Sequence, residues 1–353
     1  MSVCMTRVEY NVLNMSSKRK EIGSEFWFED SLPQAASDRD GVYVLSGRTA
    51  IDLIIQDILE TRAVRNVHMP AWCCDSMIAP FVAHGFHIDF YDVRFDVQLD
   101  CRTESIENTE ILYLTNYFGY ENTIDLGIIK QFKTKGALVL YDRTHSFLMD
   151  CDPYLALADY SFASIRKWMG VIGGAVVEGV RDKELKECPY LTCKGTAMQM
   201  KQSYIAGDDS VDKQDFLRLY GEFGHHLTDD FCDYAMDDLS FAIYKASDMS
   251  AIKARRRENA KYLHEHLNLQ FLAPFTDAVC PLFVPVLFDS KEKRDLVRKK
   301  LIEAEIYCPI HWSKPTLIPT DFEVNKIYDA ELSLICDQRY GIHEMQRIID
   351  TIQ

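Results

Sequence analysis

Short apolar runs alternate along this chain with segments whose apolar residues recur at helical spacing. Runs of strand length occur at 42–45, 67–70, 88–91, 111–115, 138–141, 159–163 and 175–177. Apolar positions at helical spacing lie between several of these runs, as in Ile51–Leu59 and at 124–133. Such alternation is typical of a parallel sheet with helices packed on its faces. The pattern therefore predicts an α/β fold with a mainly parallel sheet sandwiched by helices.

The pattern changes after residue 180. Residues 181–248 are helical and polar, and an amphipathic helix through Ile252–Leu267 follows. Strands within 278–286, a helix over 291–305 and a closing strand, turn and helix end the chain. A chain of 353 residues exceeds the usual size of one hydrophobic core. We therefore predict an N-terminal arm and large domain over residues 1–245 and a smaller α+β domain over 246–353.

Charge and cysteine content narrow the class of protein. The formal net charge of -15 argues against a general nucleic-acid binder, because phosphate backbones attract clustered Lys and Arg. The 11 cysteines show neither zinc-ligand spacing nor a regular disulfide framework, so we expect no metal site and reduced thiols. A signal peptide and long apolar runs are not recognisable in the sequence. We expect a cytoplasmic protein that binds neither nucleic acid nor membrane.

Polar residues follow two neighbouring apolar runs. Asp142 ends the run at 138–141 with His145 one turn later, and Ser164 and Lys167 follow the run at 159–163. The carboxyl ends of parallel strands meet at one edge of a sheet, where ligands bind. An acid there can pair with a pyridine nitrogen, a serine can bind phosphate, and a lysine can form a Schiff base. This set predicts a pyridoxal phosphate site, in which His145 bonds to the ring, supports Asp142, or is a core histidine.

A second phosphate-binding signal lies near the start of the large domain. A predicted strand at 42–45 runs into Gly47, Arg48 and Thr49, where an apolar helix begins. Free backbone amides and the helix dipole at such a terminus favour an anion. Gly47 also fits an ordinary helix entry, and Arg48 either contacts the phosphate or pairs with an acid. Ser161 competes with Ser164 for the phosphate if the register shifts by three residues.

The order Asp142, His145, Ser164, Lys167 and Gly173-Gly174 resembles the fold-type-I pyridoxal phosphate enzymes, in particular the DegT/StrS group of sugar aminotransferases. The resemblance implies a seven-stranded type of sheet, pyridoxal 5'-phosphate on Lys167, and a homodimer. Dehydratases of that group carry histidine in place of this lysine. Retention of Lys167 therefore favours amino transfer.

The resemblance also implies further site residues. In that family an aromatic side chain stacks on the cofactor ring. The corresponding residue here is Trp72, unless Cys74 occupies that position. Asn116 stands where the family has the histidine of a His-x-x-Gly turn, and Asn116 or Tyr117 contacts cofactor or substrate unless they only hold the turn. Arg339 is a departure from the family, and it either clamps a substrate carboxylate or phosphate or forms a surface ion pair.

The function implied is a transfer of an amino group from an amino-acid donor, such as glutamate, to a keto acceptor. The resemblance points to a nucleotide-linked keto sugar as acceptor, in surface polysaccharide or secondary-metabolite biosynthesis. Two alternatives stay open: another fold-type-I enzyme, such as a lyase or an amino-acid aminotransferase, or a catalytically silent scaffold or regulator that keeps the fold. The segment Met198–Leu227 matches the family poorly, and the role of residues 186–245 has no interpretation from sequence.

Overall fold

The computed structural model describes residues 20–28, 32–33, 39–95, 99–102, 108–121 and 124–353. Within them the β-strands are β1 (Ile22–Gly23), β2 (Val42–Val44), β3 (Asn66–Pro70), β4 (His87–Phe95), β5 (Leu99–Arg102), β6 (Ile111–Thr115), β7 (Leu138–Asp142), β8 (Tyr160–Ala163), β9 (Ala175–Glu178), β10 (Gln270–Phe271), β11 (Val284–Leu287), β12 (Ile306–Tyr307) and β13 (Glu331–Leu334). The helices are α1 (Gly47–Thr61), α2 (Asp75–Ala83), α3 (Leu126–Thr134), α4 (Leu191–Ala206), α5 (Lys213–Asp229), α6 (Asp238–Ala246), α7 (Met249–His266), α8 (Lys291–Glu303), α9 (Val324–Ala330) and α10 (Ile342–Ile352).

An eight-stranded sheet in the order β2-β9-β8-β7-β6-β3-β4-β5 forms the largest layer. Strands β8, β7, β6, β3 and β4 run parallel, whereas β9 is antiparallel to its neighbours β2 and β8. The predicted mainly parallel sheet flanked by helices is confirmed. It has one strand more than predicted, because β5 pairs with β4 in antiparallel fashion at the edge.

Burial explains why the central strands were readable from sequence. Every residue of β6 and β7 is buried, so both strands are continuous apolar runs, as expected for parallel strands covered on both faces. Helix α1 packs on this core with Ile51, Ile54 and Ile58, all at most 2% exposed. Its start is fixed by Ser46, whose Oγ accepts a hydrogen bond from the backbone N–H of Thr49 at 3.2 Å.

The C-terminal part builds a second core. Strands β10, β11 and β13 form an antiparallel sheet, and α7, α8 and α10 contribute to the same apolar cluster. The N-terminal arm also reaches this region, since β1 pairs in parallel with β12. The domain boundary between residues 245 and 246 stays a prediction.

The strand expected within 278–286 is shorter than predicted. Only Val284–Leu287 is a strand, β11. Upstream, the backbone N–H groups of Cys280 and Leu282 donate to the carbonyls of Gly119 (3.2 Å) and Phe118 (2.9 Å). The backbone N–H groups of this segment therefore find their acceptors in the turn after β6 rather than in the C-terminal sheet.

No helix of the described residues combines the length and apolarity needed to span a membrane. No group of three or more His, Cys, Asp and Glu side chains in the same part of the chain is arranged to hold a metal ion.

Gly119 is the glycine whose replacement tests this packing most directly. Its φ is +77°, and an added Cβ would lie 2.2 Å from the carbonyl oxygen of Cys280 and 2.9 Å from that of His145. Gly119→Ala should lower the free energy of unfolding by about 2 to 4 kcal/mol, because both strain and backbone overlap oppose it. Urea unfolding followed by circular dichroism measures the loss.

Gly221→Ala is the matched control. Gly221 lies within α5, and an added Cβ there would meet open space. Alanine there should raise the free energy of unfolding by about 0.5 to 1 kcal/mol. Equal stability of the Gly119→Ala and Gly221→Ala proteins would contradict the packing described.

Candidate functional site

A cavity of about 230 Å³ opens at the carboxyl ends of β7 and β8. Strand β7 ends at Asp142, and Ser164 follows β8 and begins a short 3-10 turn, Ile165–Lys167. The N-terminus of α1 forms another wall. The sequence-predicted residues that line the cavity are Gly47, Arg48, Asp142, His145, Ser164 and Lys167. The fold thus brings these residues together at the sheet edge where α/β proteins bind ligands.

The α1 terminus offers unpaired amides to this cavity. The backbone N–H of Ala50 donates to the carbonyl of Ser46 at 2.9 Å, which is the first bond of the helix. Within the described residues, no hydrogen bond engages the N–H groups of Gly47 and Arg48. A side chain at position 47 would stand 3.9 Å from Ser164 Oγ. Glycine therefore leaves room for an anion between the helix terminus and the serine.

Ser164 rather than Ser161 faces this space. The hydroxyl of Ser164 is buried and has no hydrogen-bond partner among the described residues. Ser161 does not line the cavity and donates its hydroxyl proton to Glu178 across β8 and β9. A buried hydroxyl without a partner is costly, so Ser164 is suited to bind a ligand.

Two guanidinium groups add positive charge. Arg48 donates from Nη1 to the backbone carbonyl of Leu227, whereas its Nε has no partner among the described atoms. Arg166 also lines the cavity, and its buried Nε is likewise unpaired within the described chain. No acidic side chain of the described residues forms an ion pair with either arginine, so both charges are available to an anion.

Asp142 carries the negative charge of the cavity. Its Oδ1 accepts from the backbone N–H of Thr144 and its Oδ2 from the hydroxyl of Tyr113, both at 2.9 Å. Burial raises the pKa of Asp142, and the hydrogen bonds from Thr144 together with the charge of Lys167 oppose that rise. The carboxyl group is thus held rigidly and is shielded from water.

Lys167 is an amine without a fixed partner. Among the described residues, no hydrogen bond or ion pair engages its Nζ. Burial lowers the pKa of Lys167, and the nearby charge of Arg166 lowers it further, against the opposing influence of Cys74 and Asp142. A lysine with a lowered pKa is the form needed for nucleophilic attack and proton transfer.

His145 is a neutral donor. The backbone N–H of Phe118 donates to Nδ1 of His145 at 3.2 Å, so the ring proton lies on Nε2. Burial, the charge of Lys167 and the neighbouring His311 hold the pKa of His145 well below its usual range. Its role is therefore hydrogen bonding, not charge compensation.

Trp72, one of the two residues considered for the ring contact, does not line the cavity. Its side chain is fully buried, its indole N–H donates to the carbonyl of His311 at 2.6 Å, and its ring stacks on Tyr117 with centroids 4.6 Å apart. Tyr117 in turn donates its hydroxyl to the carbonyl of Trp72 at 2.6 Å and also lies away from the cavity. The turn after β3 buries the aromatic ring and brings Cys74 to the cavity wall instead.

Thr49 and Asn116 also have structural roles. The hydroxyl of Thr49 lies 2.9 Å from that of Ser46, inside the helix cap and away from the cavity. Asn116 accepts from the N–H of Gly119 at 3.1 Å and donates to the carbonyl of Tyr120 at 3.0 Å. Asn116 thus holds the turn after β6 and does not reach the ligand space.

Trp312 is a further residue of the cavity wall, at a position where the sequence left a pocket role and a packing role open. It faces the ring of His145, with centroids 5.6 Å apart and planes 33° from parallel. The aromatic contact expected from Trp72 is thus available from Trp312 and His145.

A second cavity of about 370 Å³ adjoins the first. Arg166 and Lys167 line both cavities, so the amine of Lys167 lies between them. The arm segment 24–26 forms one wall of the second cavity, and residues of the C-terminal part form the rest. Glu25 lies there with Lys194 Nζ 3.9 Å from its carboxylate.

Arg339 lines the second cavity as an ion pair. Its Nε and Nη2 donate to the carboxylate of Asp337 at 2.9 and 2.8 Å, and Nη1 and Nη2 reach the carbonyls of Glu25 and Ser24 at 3.3 Å. Its side chain is 12% exposed, so the pair belongs to the cavity wall and not to the open surface. Arg339 thereby fixes the arm over the cavity, also through the ring of Phe26 at 4.1 Å.

Comparisons with known proteins agree with this architecture. PseC from Helicobacter pylori, an aminotransferase of pseudoaminic acid biosynthesis, is similar over 94% of this chain and 98% of its own, with a TM-score of 0.66 and 14% identity. The aminotransferase TlmJ from Streptoalloteichus hindustanus is similar over 88% and 84%, with a TM-score of 0.62 and 15% identity. The PLP form of Spr1654 from Streptococcus pneumoniae, assigned as a sugar aminotransferase, is similar over 88% and 85%, with a TM-score of 0.61 and 15% identity.

The sequence itself matches no family model. It also matches no curated protein. At these identities the likeness shows the fold, which is that of fold-type-I aminotransferases.

The reactivity of Lys167 can be measured without any ligand. In competitive labelling with acetic anhydride, Lys167 should reach half of its limiting rate at a lower pH than Nα-acetyl-lysine in the same solution. The lowered pKa of Lys167 populates the neutral, reactive amine at lower pH. Isotope-coded labelling and mass spectrometry of the Lys167 peptide give the midpoint, and a midpoint equal to or above that of the reference contradicts the burial described.

Proposed function

We propose that this protein is a pyridoxal phosphate-dependent aminotransferase. The observation that carries the proposal is the unpaired amine of Lys167, which lies between two cavities beside the buried acid Asp142 and a set of unpaired anion donors, the amides of Gly47 and Arg48 and the hydroxyl of Ser164. The cofactor requires a lysine for the Schiff base, an acid for the ring nitrogen and donors for the phosphate.

The residues fit the cofactor. The amides of Gly47 and Arg48, the hydroxyl of Ser164 and the Nε groups of Arg48 and Arg166 would hold its phosphate, since these donors have no other acceptor within the described residues. Asp142 would pair with the ring nitrogen, and His145 would donate from Nε2 to an oxygen on the ring. When bound, pyridoxal phosphate supplies an electron sink for the carbon that loses its proton.

The protein's own groups perform the remaining steps. Lys167 would hold the cofactor covalently and, once released, would move a proton at the donor carbon as a neutral amine. Asp142 would face the ring nitrogen as a carboxylate, which the hydrogen bonds donated by Tyr113 and Thr144 stabilise.

The proposed substrates follow from the chemistry of amino transfer and from the likeness to the solved aminotransferase structures. An amino acid such as glutamate is the proposed donor, and a nucleotide-linked keto sugar is the proposed acceptor. Support for the sugar comes from Spr1654, assigned as a sugar aminotransferase, and from PseC of pseudoaminic acid biosynthesis, whose fold this chain shares. Gly224 and Leu227 of α5 line the first cavity, so the segment 186–245 contributes to the site. A homodimer with the domain division predicted above completes the proposal.

The proposed chemistry predicts a covalent adduct at a single residue. Purified protein mixed with pyridoxal phosphate should gain visible absorbance that borohydride abolishes, and mass spectrometry should locate the reduced cofactor on the Lys167 peptide. Addition of glutamate to the unreduced protein should convert the cofactor to its aminated form and release 2-oxoglutarate. Lys167→Ala should reduce this conversion by about a thousandfold or more, because the proton-transfer group is lost.

Lys299→Ala is the matched control, since Lys299 lies on the exposed side of α8. It should leave adduct and conversion unchanged. A labelled Lys167 peptide without amino transfer would favour a lyase, whereas absence of any adduct would leave a protein that keeps the fold without turnover.

The unpaired hydroxyl of Ser164 predicts which serine holds the phosphate. Ser164→Ala should raise the dissociation constant for pyridoxal phosphate about ten- to hundredfold, because a hydrogen bond to a charged group contributes about 1.5 to 3 kcal/mol. Ser161→Ala, whose hydroxyl bonds to Glu178 away from the cavity, should change it less than about twofold. Fluorescence titration of the apoprotein measures both, and the reverse order would move the phosphate site to Ser161.

A further inference from the structure

A carboxylate without a hydrogen-bond donor lines the second cavity. Glu25 belongs to the arm segment in the wall of this cavity, and its side chain is 48% exposed. No described residue donates a hydrogen bond to either carboxylate oxygen. The Nζ of Lys194 lies 3.9 Å away, beyond the range of an N–H···O hydrogen bond, about 2.7 to 3.2 Å. Both oxygens are therefore free to accept hydrogen bonds from a ligand.

The backbone that carries this carboxylate is held from several sides. The carbonyl of Glu25 accepts from Nζ of Lys201 at 2.7 Å and from Nη1 of Arg339 at 3.3 Å. The carbonyl of the next residue, Phe26, accepts from the hydroxyl of Tyr220 at 2.8 Å. Helices α4 and α5 and the C-terminal part thus all fix this point of the arm. A ligand would meet an acceptor whose position is already set, which lowers the entropy cost of binding.

The surroundings keep Glu25 ionised. Burial by itself would raise the pKa of Glu25, but four cationic side chains outweigh this effect and hold the pKa below its ordinary value. The four are Lys194, Arg166, Lys201 and Arg339. At neutral pH the side chain is therefore a carboxylate, which accepts hydrogen bonds and donates none.

Two other oxygen-bearing groups of the cavity wall are already engaged. The carboxylate of Asp337 accepts from Nε and Nη2 of Arg339, and the hydroxyl of Tyr307 accepts from Nζ of Lys213 at 2.8 Å. Apolar side chains form much of the remaining wall, namely Phe26, Leu282, Phe283, Pro309 and Ile335. An apolar wall with a few oriented polar groups is typical of a small-molecule site.

Charge decides which ligand group suits this carboxylate. An anionic group would be repelled by Glu25. A cationic group would add to the cations already present, among which Lys194 has no other ion-pair partner in the described part of the chain. A neutral hydroxyl donates a hydrogen bond without changing this balance, and adjacent hydroxyls can use both oxygens.

We propose that the carboxylate of Glu25 binds hydroxyl groups of the keto acceptor in the second cavity and thereby selects a polyhydroxylated acceptor. The inference rests on the proposed function, because it assigns part of the acceptor site beside the amine of Lys167, which lines the same cavity. An acceptor without hydroxyls would strip water from the carboxylate and offer no donor in return, so the site would reject it.

Glu25→Ala tests this role with two keto probes. Protein loaded with pyridoxamine phosphate is mixed with erythrulose, a ketone whose other carbons all bear hydroxyl groups, or with butanone, which has the same carbon chain without them. The return of the pyridoxal absorbance gives kcat/KM for each probe. Glu25→Ala should lower kcat/KM for erythrulose about ten- to hundredfold, because a hydrogen bond to a charged group is lost, and that for butanone less than about twofold.

Two further variants separate recognition from folding. Glu25→Gln keeps the size of the side chain beside Lys194 and should lower kcat/KM for erythrulose about three- to tenfold, because a neutral acceptor replaces a charged one. Glu303→Ala is the matched control and should change neither probe. Glu303 also lies 3.9 Å from a lysine Nζ, that of Lys299, but it is 65% exposed and does not line the cavity.

The outcomes that would overturn the role of Glu25 are distinct from those that would reject the proposed function. Equal losses for both probes would reduce Glu25 to a structural residue, and a larger loss for aminoacetone than for erythrulose would assign it to a cationic ligand. Absence of any reaction with erythrulose in the unaltered protein would also overturn it. Failure to form the Lys167 adduct, in contrast, would reject the proposed function itself.

Discussion

Burial of an amine that has no ion-pair partner is the constraint on which the rest of this site depends. A lysine in water is almost entirely protonated at neutral pH and cannot attack an aldehyde or accept a proton. Removal of water from around Lys167 favours the neutral form, and the adjacent Arg166 acts in the same direction. A direct salt bridge to Asp142 would reverse this effect. Tyr113 and Thr144 occupy the two carboxylate oxygens of Asp142, which leaves the amine to the two cavities.

The position of Lys167 is fixed by its neighbour Trp168. The indole N–H of Trp168 donates to the carbonyl of Thr144 at 2.6 Å, which ties the turn after β8 to the loop after β7. From the other side, the guanidinium group of Arg256 lies 4.6 Å from the Trp168 ring and also donates to the carbonyl of Leu282 at 2.9 Å. Arg256 is fully buried, so its removal would leave several carbonyl groups unpaired. One tryptophan thus connects the large sheet, the C-terminal part and the reactive amine.

Local patterns in the sequence were sufficient for the strands and for the residues at their ends. Strand β6 has the predicted bounds Ile111–Thr115, and Asp142 and Ser164 lie at the cavity because parallel strands end at one edge. The orientation of side chains within a buried turn was not readable, because an apolar segment gives no sign of which side chain faces a cavity. The sequence therefore left the position open between Trp72 and Cys74, and Cys74 lines the cavity. The contact between the backbone of His311 and the carboxylate of Glu331 was also hidden, since the two residues are 20 positions apart and meet only through tertiary packing.

The overall charge of the chain and the charge of its site have opposite signs. The net charge of -15 repels phosphorylated substrates at long range, but ions screen that field beyond about 8 to 10 Å at physiological ionic strength. Inside the cavity, the unpaired donors of Arg48 and Arg166 act at contact distance and in a poorly solvated space, where electrostatic attraction is several times stronger than in water. A few oriented cations therefore outweigh many surface carboxylates.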